Sequence, residues 1–239
     1  LPMKIFPAVH YSMGGLWVDY DQMTEIPGLF AAGECDFSQH GANRLGANSL
    51  LSAIYGGMVA GPNAVKYIKG LQKHAEDLPE EIFSRREKEE QEKWEAILKM
   101  DGTENAYLLH KELGEWMTDN MTVVRVNSKL EETYAKLTEL QERWEKININ
   151  DTQKWSNQGA HFTRQLKNML YLAKVMTKGA LMRDESRGAH FKPDFPERDD
   201  ERFLKTTMAK FDPATGEPII TYAEVDVSLI PPRKRDYSA

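Results

Sequence analysis

The spacing of apolar and polar positions divides the chain into three stretches. In residues 1–75 the apolar positions are dense and broken by glycine. Short β-favouring segments on either side of Gly14-Gly15 predict a hairpin from Val9 to Tyr20. Gly28 to Gly33, preceded by Pro27 and ended by Gly33, predicts a short buried strand. Leu50, Leu51, Ile54, Met58, Val59, Val65 and Ile68 then recur at helical spacing. Asn48 or Ser49 is the expected cap of that helix, and Pro62 the expected point of a kink or restart.

From 76 to 178 the pattern becomes strongly amphipathic. Glu80 to Met100 predicts a charged helix, Thr103 to Met121 a second, and Asp151 the cap of a fourth that runs to Lys178. Between them Ser128 and Glu131 have capping-box spacing, and Leu130, Tyr134, Leu137, Leu140 and Trp144 follow on one helical face. An antiparallel bundle is expected here, its charge runs being solvated faces. From 179 to 239 the chain is polar and loop-rich. Asp212-Pro213-Ala214-Thr215-Gly216 predicts a hairpin turn between Met208–Phe211 and Ile219–Val227, with an extended Pro231 to Arg235 tail. The fold class is therefore α+β: strands plus a helix, a helical bundle, and a small C-terminal unit with a β-hairpin.

Composition narrows the function classes. A chain of 239 residues with 41% hydrophobic and 28% charged residues has an ordinary globular balance. Its net charge of −6 gives no basic surface for nucleic acid or anionic lipid. The single cysteine, Cys35, excludes an internal disulfide and any cysteine-built metal or iron–sulfur site. No apolar run approaches the roughly 20 residues that span a bilayer. The chain opens at Leu1-Pro2-Met3-Lys4, without an initiator methionine and in mid-element, so a piece of a longer protein is expected; a processed N-terminus would look the same.

The candidate chemistry lies in the first 50 residues. His10 stands just before Gly14-Gly15, where a backbone can closely approach a flat ligand. Glu34 follows the expected strand, the usual place for an α/β protein to hold a ligand. His40-Gly41-Ala42-Asn43-Arg44-Leu45-Gly46-Ala47-Asn48-Ser49-Leu50-Leu51 runs as a small, polar loop into a helix N-terminus, whose free N–H groups suit an anion. Arg44 offers the planar fork a carboxylate prefers. These residues read as an anion site beside a planar ligand. A lone strand histidine, a tight glycine turn and a turn glutamate would account for the same residues without any ligand. No G-x-G-x-x-G is present, so the pyrophosphate-binding half of a dinucleotide fold is not in these residues.

Three long motifs carry a resemblance: "PAVHYSMGGLWVD", "IPGLFAAGECDFSQHGANRLGANSLLSAIYGG", and "RDESRGAHFKPDFPERDDERFLKTT" at 183–207. In this order they closely resemble the flavoprotein subunits of succinate dehydrogenase and fumarate reductase, and most nearly those of menaquinone-coupled bacterial enzymes. The resemblance implies residues 1–75 as the C-terminal end of an FAD-binding domain, 76–178 as a helical domain and 179–239 as the flavoprotein C-terminal domain. It assigns His10, Arg44 and Ala47 to a dicarboxylate substrate, and Gly14, Gly15, Glu34, Asn48, Ser49 and Leu50 to FAD. Glu34 would meet the adenosine ribose region, and Ser49 and Leu50 the isoalloxazine near N1 and the C2 carbonyl.

The implied reaction is hydride transfer between succinate or fumarate and FAD. Electrons would leave through an iron–sulfur subunit, which docks on a membrane-anchor cytochrome b subunit and so reaches quinone. The implied location is peripheral, on the cytoplasmic side of the bacterial inner membrane, with no nucleic-acid partner and no metal in this chain. No catalytic residue is assigned here, because the proton-transferring arginine is expected upstream of Leu1, as are the flavinylated histidine and the Rossmann-like half. The isolated chain is therefore expected to be inactive and without FAD. Arg187 and His190 of the "SRGAH" run read as an ion-pairing structural and domain-contact element, and His40 as a residue standing behind the ligand contacts. The alternatives are an L-aspartate oxidase-type flavoenzyme and a flavin-free interaction module.

Overall fold

The computed structural model describes residues 2, 3, 5, 10–37 and 40–233. Val9, the 38–39 stretch of the second motif and the tail beyond Arg233 lie outside the described residues. The described residues form six α-helices and one antiparallel hairpin: α1 Asn48–Gly70, α2 Glu80–Leu98, α3 Ala106–Met121, α4 Asn127–Trp144, α5 Gln158–Leu181, α6 Asp200–Phe203, β1 Lys205–Phe211 and β2 Pro218–Glu224. They fall into two compact units, Leu1–Glu92 and Lys93–Ala239, with the boundary inside α2.

In the first unit the expected Val9–Tyr20 hairpin does not form among the described residues. Leu16 instead bonds to the turn at 33–37, its N–H donating to Cys35 C=O (2.8 Å) while its C=O accepts from Phe37 N–H (2.8 Å). Gly15 explains the choice. A Cβ there would sit 2.3 Å from the carbonyl oxygens of both Cys35 and Asp36, so the glycine serves a close backbone approach and not a tight turn. The expected strand at 28–33 is reduced to a single bridge between Met23 and Phe30. Buried Gln22, at φ 66°, joins these pieces: its amide NH₂ donates to Ala31 C=O (3.1 Å) and to the Asp36 carboxylate (3.2 Å). Helix α1 packs Gly56 against Ala32, where an added Cβ would come within 3.1 Å. It runs unbroken through Pro62, but its large apolar side chains face outward.

The second unit matches the periodicity closely. Leu130, Leu137 and Leu140 are fully buried and Trp144 nearly so, donating its indole N–H to Thr163 C=O (2.8 Å). Leu137, Leu140 and Trp144 join Leu109 and Leu113 of α3, Leu166 and Leu170 of α5, and Ile147 in one core. Each such side chain contributes roughly 1.5–3 kcal/mol on burial. The caps differ from expectation in two places. Asn157, not Asp151, caps α5, its Oδ1 accepting from Ala160 N–H (2.8 Å), while Asp151 closes a local turn on Gln153 N–H (2.9 Å). Helix α4 starts one residue before Ser128, and its N-cap Val126 offers no side-chain acceptor, so the Ser128–Glu131 capping box is not used. Asn105 does cap α3, accepting from Tyr107 and Leu108 N–H.

The hairpin forms as the turn chemistry predicts. Asp212 accepts from Ala214 N–H and Thr215 Oγ1, and Gly216 takes φ 71°. It packs on α5 through Glu217, which receives the ammonium of buried Lys174 (2.5 Å) and the hydroxyl of Tyr134. The Arg187 run is an ion-pairing element, as read from the sequence. Fully buried Glu185 accepts from Arg183 Nη1 (2.5 Å), Arg187 Nε (2.8 Å) and Asp199 N–H (2.9 Å), and Arg187 also reaches Asp200 (2.7 Å). His190 accepts at Nδ1 from Arg125 (2.6 Å) and donates from Nε2 to Arg183 C=O (2.9 Å), which makes it a neutral linker.

Candidate functional site: an uncapped helix start beside Arg44

Helix α1 begins in an unusual way. Its N-cap is Ala47, at φ 64° in the left-handed region, and no side chain caps the first turn. Asn48 and Ser49, the expected caps, are instead the first two helical residues. Asn48 N–H is satisfied locally by Leu45 C=O (3.2 Å). With alanine at the cap, the amides of Ser49 and Leu50 have no side-chain acceptor, and the helix dipole leaves partial positive charge there. That geometry favours the anionic edge of a ligand.

Arg44 stands four residues before the helix. Its backbone N–H donates to Met13 Sδ (3.0 Å) and its Nη1 to Leu45 C=O (3.3 Å). Its guanidinium lies over the Tyr11 ring, 5.0 Å from the centroid. Arg44 Nε and Tyr11 Oη are both buried without a hydrogen-bond partner among the described residues. Two orphaned polar atoms around one guanidinium fit a polar ligand better than a closed structural site. Glu34 accepts Ser12 N–H (2.8 Å) and so ties the 10–16 segment to the turn after Gly33.

Of the residues singled out in the sequence, Arg44, Ala47, Asn48, Ser49 and Leu50 are gathered at the helix start, and Glu34 and Gly15 at the neighbouring turn. Gly14 meets open space: a Cβ there would touch nothing within 4 Å. His10 is exposed, and the hydrogen bonds and ring contact of Arg44 go to Met13, Leu45 and Tyr11 instead. The residues that the sequence reading passed over are Tyr11 and Met13, which hold Arg44 directly. They lie in the same motif as His10, but nothing in their spacing signals a contact with a residue some thirty positions away. His40 makes its bond to Ser52 Oγ (3.1 Å) on α1.

The anionic edge of a flavin cofactor fits what these residues offer: an uncapped helix N-terminus, open backbone at Gly14, and a guanidinium with an unpartnered nitrogen. Comparison with known proteins reaches the same class. Residues 110–237 match the family described as fumarate reductase flavoprotein C-term, and residues 2–50 match the FAD binding domain family. The succinate dehydrogenase flavoprotein subunit of Bacillus subtilis is 71% identical over 100% of this chain and 41% of its own length. The fumarate reductase flavoprotein subunit of Haemophilus influenzae is 36% identical over 100% of this chain and 39% of its own. A solved variant of E. coli quinol fumarate reductase FrdA superposes with a TM-score of 0.86 at 34% identity, covering 94% of this chain and 38% of that one. The chain belongs to the succinate dehydrogenase and fumarate reductase flavoprotein subunit family. It spans about two fifths of the length of the curated relatives it matches.

Proposed function

We propose that this chain is the C-terminal part of a flavoprotein subunit that interconverts succinate and fumarate, and that it supplies half of the dicarboxylate site. The observation that carries the reading is Arg44, with its unpartnered Nε, beside the uncapped start of α1. Arg44 would clamp one substrate carboxylate in bidentate fashion, His10 would bond the same group, and Ala47 would line the pocket. Asn48, Ser49 and Leu50 would present the helix N-terminus to the flavin edge, where reduction places negative charge. Gly14 would let the backbone lie close to the cofactor, with Gly15 contributing by seating that segment on the 35–36 backbone and Glu34 at the adenosine end. When bound, FAD supplies the hydride acceptor and donor. Among these residues none is assigned the proton transfer, which belongs to a part of the subunit preceding this sequence.

The partners on this reading are succinate or fumarate, an iron–sulfur subunit that takes the electrons, and a membrane-anchor cytochrome b subunit beyond it that reaches quinone. No helix among the described residues is long and apolar enough to cross a membrane. Peripheral attachment through those partners, on the cytoplasmic face, is the proposed location. The test is succinate-dependent dye reduction by the full-length, FAD-loaded subunit and by its Arg44→Ala variant. Activity that collapses in the variant at normal flavin content is expected. A loaded wild-type subunit that neither oxidises succinate nor reduces fumarate would refute the reading.

A further inference from the structure

The groups packed behind Arg44 form a connected series that no carboxylate-binding role requires by itself. Tyr11 is the hub. One face of its ring carries the Arg44 guanidinium at 5.0 Å, and His40 meets it edge-on, with ring centroids 5.3 Å apart at 80°. His40 Nε2 lies 3.1 Å from Ser52 Oγ, and Ser52 Oγ lies 3.0 Å from Ser49 C=O. With the single hydroxyl proton of Ser52 placed on that carbonyl, Oγ accepts from His40, and His40 carries its proton on Nε2. The series therefore has a direction: Arg44 on Tyr11, Tyr11 against His40, His40 onto Ser52, and Ser52 onto the first turn of α1. It links three separate stretches of the chain, and it ends at the turn whose amides are free for a ligand.

Resting on the function proposed above, we propose that Tyr11, His40 and Ser52 are positioning residues that fix the Arg44 guanidinium relative to the start of α1. An arginine side chain has several rotatable bonds, and its two-pronged recognition of a carboxylate needs one orientation. Here the long stem gains little from its own loop, since among the described residues Nη1 reaches only the adjacent Leu45 carbonyl. The aromatic face of Tyr11 supplies the missing restraint, and cation–π attraction of this kind strengthens away from water. Because the same series holds Ser49, the carboxylate clamp and the helix amides are set by one piece of structure. The clamp and the cofactor edge are then kept in register, as hydride transfer between their two ligands requires.

The experiment is fumarate binding to the oxidised, FAD-loaded full-length subunit by isothermal titration calorimetry, with flavin content read from its visible absorbance. Tyr11→Leu is expected to weaken binding about tenfold, the upper range of a single cation–π contact. Tyr11→Phe keeps the ring and should recover most of the affinity lost in Tyr11→Leu, losing only what the unpartnered Oη gives the ligand, about threefold, and Ser52→Ala should also weaken binding about threefold. In an Arg44→Ala background, Ser52→Ala should have no further effect and Tyr11→Leu no more than Tyr11→Phe itself causes, since the ring and the Ser52 contact act through Arg44. Undiminished losses in that background, or Tyr11→Leu and Ser52→Ala binding as wild type, would overturn the proposal. If Tyr11→Leu fails to fold or to hold flavin, the Ser52→Ala pair decides it alone. Fumarate binding unchanged in Arg44→Ala itself would instead sink the functional reading on which this rests.

Discussion

Helices α1 and α4 carry the same kind of apolar stripe and meet opposite fates. Leu130, Leu137 and Leu140 on α4 are 0% exposed, whereas Leu50, Leu51, Ile54 and Met58 on α1 are 73%, 65%, 60% and 70% exposed. The spacing of apolar residues specifies which face of a helix seeks burial, but not what buries it. In Lys93–Ala239 the chain provides that partner itself, from α3, α5 and the Ile147 turn. Among the described residues of Leu1–Glu92 the buried positions are few and partly polar or glycine, namely Val18, Gln22, Ala31, Gly33, Asp36 and Gly56, and only Gly56 lies on α1, away from its large apolar side chains. One unit is built around a core. The other is built around the backbone approaches that shape the helix start.

The sharpest way to break this comparison is to shorten equivalent side chains in both units. Trp144→Ala should cost about 3–5 kcal/mol and Leu140→Ala about 2–5 kcal/mol, read by urea unfolding or by hydrogen exchange in α4 and α5. Leu51→Ala should stay within about 0.5 kcal/mol, as exposed substitutions do. A Leu51→Ala cost matching that of Leu140→Ala would show that α1 is covered after all. In the full-length subunit, Trp144→Ala should leave the KM for succinate nearly unchanged in the folded fraction.

Next in size is the site itself. Arg44→Lys loses the planar fork and should remove about 2–4 kcal/mol of transition-state stabilisation from the full-length enzyme, measured as kcat/KM for succinate. Combined with His10→Ala the loss should be less than additive, because both are assigned to one carboxylate. Strict additivity would separate the two residues onto different groups.

A smaller effect should follow pH through His190. Burial, reinforced by the guanidinium of Arg125, pushes its pKa from the usual 6.5 to about 4, against the opposing pull of the Arg183 carbonyl. The fold thus favours the neutral ring. Its contribution is complete above the unfolded value and is lost as pH falls from 6.5 toward about 4, because the unfolded chain binds a proton that the folded one refuses. About 2 kcal/mol is expected, less than the full shift would give in a dry site, since the half-buried ring keeps some solvent. Comparing unfolding at neutral and mildly acid pH with His190→Gln isolates this from the carboxylates; an identical slope in the variant would exclude His190. Smallest of all are the caps. Asn105→Ala should cost about 1 kcal/mol, and Ser128→Ala close to nothing, because of these two only Asn105 is used as an acceptor at its helix start.

Much of the second unit was legible in the sequence because its signals are local. The stripe from Leu130 to Trp144 and the Asp212–Gly216 turn each specify their own geometry within a few residues. The cap positions were less legible, since Asp151 and Asn157 are equally good acceptors and the loop between them decides which meets the helix. In the first unit, Asn48 and Ser49 look like better caps than Ala47, yet the chain enters α1 through a left-handed alanine. The glycine pair at 14–15 has the signature of a tight turn. What Gly15 serves is the approach of Leu16 to Cys35, a contact across nineteen residues that no periodicity reveals. Arg44 was recognisable by its chemistry and His40 as a residue behind the ligand contacts, whereas Tyr11 between them was recognisable only once the loop was folded.

The carboxylate of Glu217 has a consequence for how the second unit comes apart. It sits at the head of the hairpin and takes the ammonium of Lys174, a side chain of α5 that is 1% exposed, together with the hydroxyl of Tyr134 on α4. Peeling the hairpin away would strand a lysine charge in the space between two helices, a penalty of several kcal/mol. Local fraying of β1 and β2 is thereby coupled to opening of α4 and α5. This two-stranded ribbon, too small to stand alone, should exchange its amides together with the helices in a single cooperative event.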